Sequence, residues 1–300
     1  MKIYACSNWG LKFLGMVIDA WKDQGHDVEY SLGYDPELHR NSDVCYIDTC
    51  DNNAIVASAN RFEGSRLVIR AIDIECWVGN PGAVQWANVD GLIFGARHIQ
   101  ELVSTQVAFA DYPHLNVQHV PFGVDRIKWT YKDRQPGYEI AFVAHRWSAK
   151  GIPLALQVMA ELGTEYTLHF LGDESKGEKW NPPYVRDMLK ILEINATFEE
   201  RVDDLDAWLE DKNYLLVSSQ KEAFSYVAAE AAAKGIKPII HSFYGAYGVW
   251  PLSWIWSSVR DAVGAIEYGG YDSEEYAMTI QKDYSLERMM QGINEVCEII

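Results

Sequence analysis

The sequence predicts an α/β protein of two domains, each built on a parallel sheet, and three observations carry that prediction. Short apolar runs of strand length alternate with segments whose apolar residues recur at helical spacing along the whole chain. At 300 residues, 48% of them hydrophobic, the chain is long enough for two cores of about 150 residues each. A stretch without sustained periodicity, "PFGVDRIKWTYKDRQPGY" over 121–138, interrupts the alternation, which then restarts.

Taken in order, "KIYACS" reads as a first strand, and "GLKFLGMVIDAWKDQG" as an amphipathic helix with a glycine stop. "HDVEYSL" and "SDVCYIDTC" read as strands, 52–60 as a short helix and "RLVIRAID" as a strand. "VDGLIFGA" and "LNVQHVPFG" are further strands, with the helix "HIQELVSTQVAF" between them. Beyond the linker come the strand "EIAFVAH", the helix "GIPLALQVMAEL" and the strand "YTLHFLGD". A helix over about 183–193, the strand "ATFEE", the helix "DDLDAWLEDK", the strand "NYLLVSS", an alanine-rich helix and the strand "KPIIH" complete the second half. Apolar strands joined by helices imply parallel sheets covered on both faces. No solenoid repeat or low-complexity tract interrupts them. The expected boundaries are 1–130 and 131–283, with a final helix in 284–300, "YSLERMMQGINEVCEII".

Composition narrows the function classes. A net charge of −17 disfavours a nucleic-acid backbone or an anionic membrane as partner. The five cysteines show no C-x-x-C or other metal spacing, so reduced thiols in the cytoplasm are expected. "MKIYACSN" has too short an apolar run for a signal-peptide core. The uncharged stretch "SFYGAYGVWPLSWIWSSV" approaches membrane-spanning length, but its glycines, proline and serines read as a loop and a short aromatic strand. Its tryptophans leave a peripheral membrane contact open.

One segment points to a ligand. In "KEAFSYVAAEAAAKG", Glu222 falls in the loop after an apolar strand, and Glu230 lies in the helix that Ser225 opens and Gly235 ends. Ligands of open α/β sheets bind at such carboxyl ends of strands, and a helix start favours phosphate. The alternative is a solvated helix face. Asp204 and Asp206 form a D-x-D pattern whose place at a helix start suits capping better than metal binding. The chain has no Walker loop, G-x-S-x-G or H-E-x-x-H.

The spacing of Glu222 and Glu230 within "EAFSYVAAEAAAKGIKPII" resembles the E-x7-E region of retaining glycosyltransferases of family four, which have the GT-B fold. "FVAHRWSAKGIPLALQVMAEL", "VPFGVDRIKW" and "WLEDKNYLLVSS" are similar to further segments of that family, and "SNWGLKF", "VIRAIDIE" and "WANVDGLIFGARHIQE" extend the resemblance more weakly. It implies two Rossmann-like domains facing each other across a cleft, the second holding a nucleotide-sugar donor and the first an acceptor. It implies that Glu222 contacts the donor sugar, Glu230 the ribose and Lys150 the diphosphate, with His145 or Arg146 as a second phosphate group. Phe224, Ser225, Tyr226 and Gly10 fall on the donor side, and Asn8, Trp9, Asp73 and Glu75 on the acceptor side. No metal or other cofactor is implied, since cations and a helix start can meet the leaving phosphate. The acceptor stays open among a glycan, a lipid-linked sugar and a small molecule, with duplex DNA disfavoured by the acidity. An epimerase or phosphorylase on the same architecture, and a nucleotide-sugar-binding subunit without turnover, are the alternatives.

Overall fold

A computed structural model describes residues 1–299 and all their side chains but that of Lys12. The chain divides into two units, Met1–Gly123 together with the segment from Tyr284, and Val124–Asp283.

The first unit contains β1 (Lys2–Cys6), α1 (Leu11–Asp23), β2 (Asp27–Ser31), α2 (Pro36–Arg40), β3 (Val44–Ile47), α3 (Asn52–Ser58), β4 (Arg66–Ala71), α4 (Ile74–Trp77), β5 (Gly91–Phe94), α5 (Arg97–Ser104) and β6 (Asn116–His119). Its six strands run in the order β2-β1-β3-β4-β5-β6, every pair parallel. The sequence follows this order. "VCYI" of β3 lies between two strands with all four residues buried, whereas "NVQH" of the edge strand β6 has none buried. Sheets covered on both faces need such apolar central strands.

The second unit contains β7 (Glu139–Val143), α6 (Ile152–Leu162), β8 (Thr167–Leu171), α7 (Asn181–Ile191), β9 (Asn195–Glu199), α8 (Leu205–Trp208), β10 (Tyr214–Val217), α9 (Tyr226–Ala233), β11 (Lys237–His241), β12 (Ile255–Trp256), α10 (Val259–Glu267) and α11 (Ser273–Asp283). Its six strands, again all parallel, are ordered β12-β11-β10-β7-β8-β9. One face is filled by Ile152, Leu156 and Met159 of α6, which pack with Ile140, Phe142, Leu168 and Phe170 of the strands.

A last helix, α12 (Leu286–Cys297), belongs to the first unit. Met289, Ile293 and Val296 enter the core that holds Ile3, Trp21 and Ile93, and the Trp21 indole donates to Asn294 Oδ1 at 2.8 Å. The fit of helix to sheet leaves no room at Gly91, where a Cβ would stand 2.5 Å from Val296 Cγ1. The uncharged stretch 242–259 forms short turns and β12, with Trp250, Trp254 and Trp256 buried. Among the described residues no helix is long and apolar enough to cross a membrane.

In each unit the strand order reverses at one place, between β1 and β3 and between β7 and β10. Ligands of open α/β sheets bind outside the carboxyl ends of strands at such a reversal.

Candidate functional site

The reversal in the second unit gathers two loops. After β7 the chain makes a turn over Ser148–Lys150 and enters α6 through Gly151, at φ +64°. After β10 it passes through Ser218, Ser219 and Glu222 to α9. Two hydrogen bonds knit the loops together and a third orders the second loop. Ser218 Oγ donates to the Lys150 carbonyl at 2.8 Å, Gln220 N to the Ala149 carbonyl at 2.8 Å, and Ser219 Oγ to Glu222 Oε1 at 2.8 Å. A Cβ on residue 151 would stand 2.1 Å from the Ser218 carbonyl oxygen, so this close approach requires glycine.

The knit brings the Lys150 ammonium against Glu222 Oε1 as an ion pair, with both side chains still reached by solvent, at 31% and 14% exposure. A lysine and a carboxylate are thus held side by side, 72 residues apart in sequence, at the sheet's reversal. Behind them His241 Nδ1 donates to the Ser219 carbonyl at 3.1 Å, and its ring packs on Trp256.

α9 begins with Ser225 in the left-handed region, φ 73° and ψ 81°. Ser225 therefore holds the N-cap position without capping, for its hydroxyl accepts no bond from the helix. Phe224 is buried beneath it. The ring stacks on Trp250 at 4.8 Å, its carbonyl accepts from the Trp250 indole at 3.0 Å, and Tyr226 meets it edge-on at 5.3 Å. Glu230 is half-buried one turn into α9.

Arg146 does not join Lys150 and Glu222. Its side chain is 1% exposed, with the guanidinium 3.5 Å above the Phe170 ring and 3.5 Å from Glu174 Oε1. Burial lowers its pKa. Its backbone anchors the loop after β8, accepting from Glu178 N at 3.2 Å and donating to the Lys176 carbonyl at 2.8 Å. Glu178 completes this brace by accepting from both Ser148 N at 2.9 Å and Ser148 Oγ at 2.8 Å, and the Ser148 hydroxyl holds the Glu178 carboxyl below its usual range. His145, half-buried, lies at the start of the same turn. Asp204 caps α8 by accepting from Ala207 N at 3.0 Å, and Asp206 pairs with the buried Lys234 at 2.5 Å.

At the first unit's reversal, Asn8 Nδ2 donates to Asp51 Oδ2 at 2.6 Å. Trp9 is 53% exposed, and Gly10, at φ +65°, opens α1. Glu75 is buried, accepting from Ile72 N at 2.6 Å and Asp73 N at 3.1 Å, and burial raises its pKa. Glu75 thus holds its own loop together rather than facing outward. Beneath lies a pair that motif reading missed, Asp48 with Arg70 at 2.6 Å, both buried. Burial outweighs the neighbouring guanidinium and pushes the Asp48 pKa to about 6. Ser218, Ser219 and His241 were missed as well. The only hint was the Ser-Ser end of "NYLLVSS", an unusual close to an apolar strand.

No family model matches the chain, and no curated protein matches it in sequence. Solved structures do match. HepE of Anabaena, solved with UDP, is similar at 11% identity over all of both chains with a TM-score of 0.77. Sucrose-phosphate synthase of Thermosynechococcus elongatus is similar at 12% identity over 99% of this chain and 98% of that one, with a TM-score of 0.78. A glycosyltransferase of Rickettsia africae reaches 0.76 at 11% identity over 99% and 97%. At such identities the likeness is one of fold, and the fold is GT-B, with two α/β units on six-stranded parallel sheets.

Proposed function

We propose that the chain is a retaining glycosyltransferase that moves a sugar from a nucleotide-sugar donor without a metal ion. The observation that carries this reading is the Lys150–Glu222 pair at the sheet reversal of the second unit. HepE, of the same fold, has been solved with UDP and with UDP-glucose, which supports a donor of that class.

Breaking the bond between sugar and diphosphate leaves charge on the departing oxygen, and a preorganised cation there lowers the barrier. Lys150 supplies that cation. Its carboxylate partner keeps the ammonium in place, and a bound diphosphate would share it. Glu222, held by Ser219, accepts hydrogen bonds from the sugar's hydroxyls and fixes the ring for transfer. The backbone N–H groups at the start of α9 add positive potential, and Glu230 holds the ribose. Arg146 is a support of the turn in this mechanism, because its guanidinium lies over Phe170. Retention follows if the acceptor attacks from the face that the diphosphate leaves, with the phosphate taking the acceptor's proton. The acceptor is assigned to the first unit.

Steady-state kinetics with a panel of UDP-sugars test the assignments. A ribose contact is alike in ground and transition states, so Glu230→Ala should raise the donor KM with kcat little changed. Glu222→Gln should chiefly lower kcat, by about ten- to a hundredfold, the range for one hydrogen bond to a charged group. Turnover should persist in a chelator, with the product in the donor's anomeric configuration by NMR. Unchanged kinetics in both folded variants would leave the carboxylates as a mere helix face.

A further inference from the structure

We propose that the second unit carries a separate neutral-saccharide pocket on the α6 side of the Lys150 turn. A cavity of about 420 Å³ there is walled by Trp180, Gln157, Gln220 and Ser148, with Pro153 and Leu154 as its apolar part and Gly151 at its edge. That volume lies within the usual range of about 300–1,000 Å³ for small-molecule sites.

The lining selects the ligand class. Charged residues make up 23% of the chain, yet none lines this pocket, which removes the side chains that would pair with a phosphate, a carboxylate or an ammonium. What remains is one indole, two amides, a hydroxyl and aliphatic surface. A pyranose offers the complement, with a C–H face for an aromatic ring and hydroxyls for amides that both donate and accept. The amides of Gln157 and Gln220 and the Trp180 indole N–H have no protein partner among the described residues, so they are open to a ligand. Trp180 is 51% exposed and yet fixed, packed edge-on against Tyr184 at 6.0 Å.

The pocket is also built to stay in register with the site described above. Trp180 follows the brace in which Glu178 grips Ser148, and Gln220 is bonded through its backbone to Ala149 of the Lys150 turn. A sugar seated there touches the same two loops that hold Lys150 and Glu222. The inference rests on the transferase reading only for that adjacency. The ligand class comes from the lining alone.

Saturation-transfer NMR and calorimetry on the whole chain, with maltotriose, cellotriose and chitotriose at millimolar concentration, provide the test. At least one trisaccharide should bind, roughly tenfold more weakly in Trp180→Ala for the loss of a stacked aromatic face, and more weakly in the surface variant Gln157→Ala. UDP affinity should stay unchanged in both. No trisaccharide binding in a chain that binds UDP, binding that is indifferent to both substitutions, or displacement of the sugar by uridine would each overturn the proposal. Trisaccharide binding lost on substitution in a chain that binds none of UDP, ADP and GDP would sustain the pocket and sink the transferase reading.

Discussion

Ser225 has φ 73°, a region that costs an L-residue about 1–2 kcal/mol and glycine almost nothing. Ser225→Gly should therefore raise the urea midpoint, the strain relieved exceeding the extra unfolded-state entropy of glycine by up to about 1 kcal/mol. Ser225→Ala keeps the strain and should gain nothing. His39 is a second residue whose environment decides its behaviour. It is 1% exposed, its Nδ1 shares a 2.8 Å bond with the Tyr34 hydroxyl, and its ring meets Phe62 edge-on. Burial, aided by Arg61, lowers its pKa from 6.5 to about 4. Between those values the unfolded chain binds a proton that the folded chain refuses, so this contribution is present above pH 6.5 and is lost as pH falls toward 4. The total is about 3 kcal/mol. Urea titrations from pH 7 to 4 check it, and the difference between wild type and His39→Gln should slope in that window. Glu222 was legible because a lone acid ahead of an alanine-rich helix invites a reason, whereas Lys150 was legible only through the resemblance to family four. The inward turn of Arg146 was not, since sequence does not say whether a guanidinium at a strand end meets a ligand or the ring of Phe170.

At the scale of elements, the strands were legible, and so were the short helices α3 and α8, whereas α2, α4 and the eleven-residue α11 were not. The central strands β3, β5 and β10 are buried throughout, but α2 and α4 have five and four residues, too few for a 3.6-residue period to declare itself. α7 starts at Asn181 rather than near 183 because prolines are tolerated in a helix's first turn. α10 went unread beside the tryptophan-rich stretch, although its capping box of Ser258 and Asp261 is written in "SSVRD". The pairing of the loops after β7 and β10 depends on the strand order, which no local pattern records. Gly151 joins these elements. Gly151→Ala adds a Cβ 2.1 Å from the Ser218 carbonyl at positive φ, so the turn must move away from the end of β10. A loss of about 2 kcal/mol or more in stability is expected. Donor affinity should fall with it, because the same displacement parts Lys150 from Glu222. A stable Gly151→Ala with full donor affinity would mean that the two loops are not rigidly joined.

For the whole molecule the governing quantity is the net charge of −17. The proposed donor carries a diphosphate, so the protein's far field repels the ligand that Lys150 is set to receive. The near field at Lys150 is itself partly cancelled by Glu222. Salt acts differently on these two fields. The Debye length is about 30 Å at 0.01 M and about 8 Å at 0.15 M, so added salt removes the long-range repulsion while a contact within a few ångströms keeps most of its strength. Association of UDP should therefore quicken as sodium chloride rises through that range, and dissociation should change less, because it is set by contacts already made. Stopped-flow fluorescence, with the protein in excess at fixed pH, separates the two rates. Lys150→Met removes the near attraction and leaves the far field, so it should speed dissociation and preserve the rising salt dependence of the on-rate. An on-rate that falls with salt in the wild-type chain would mean that the approach to the site is locally basic. The excess of acids would then lie on surfaces the donor never meets, and the charge argument against a polyanionic acceptor would lose its force.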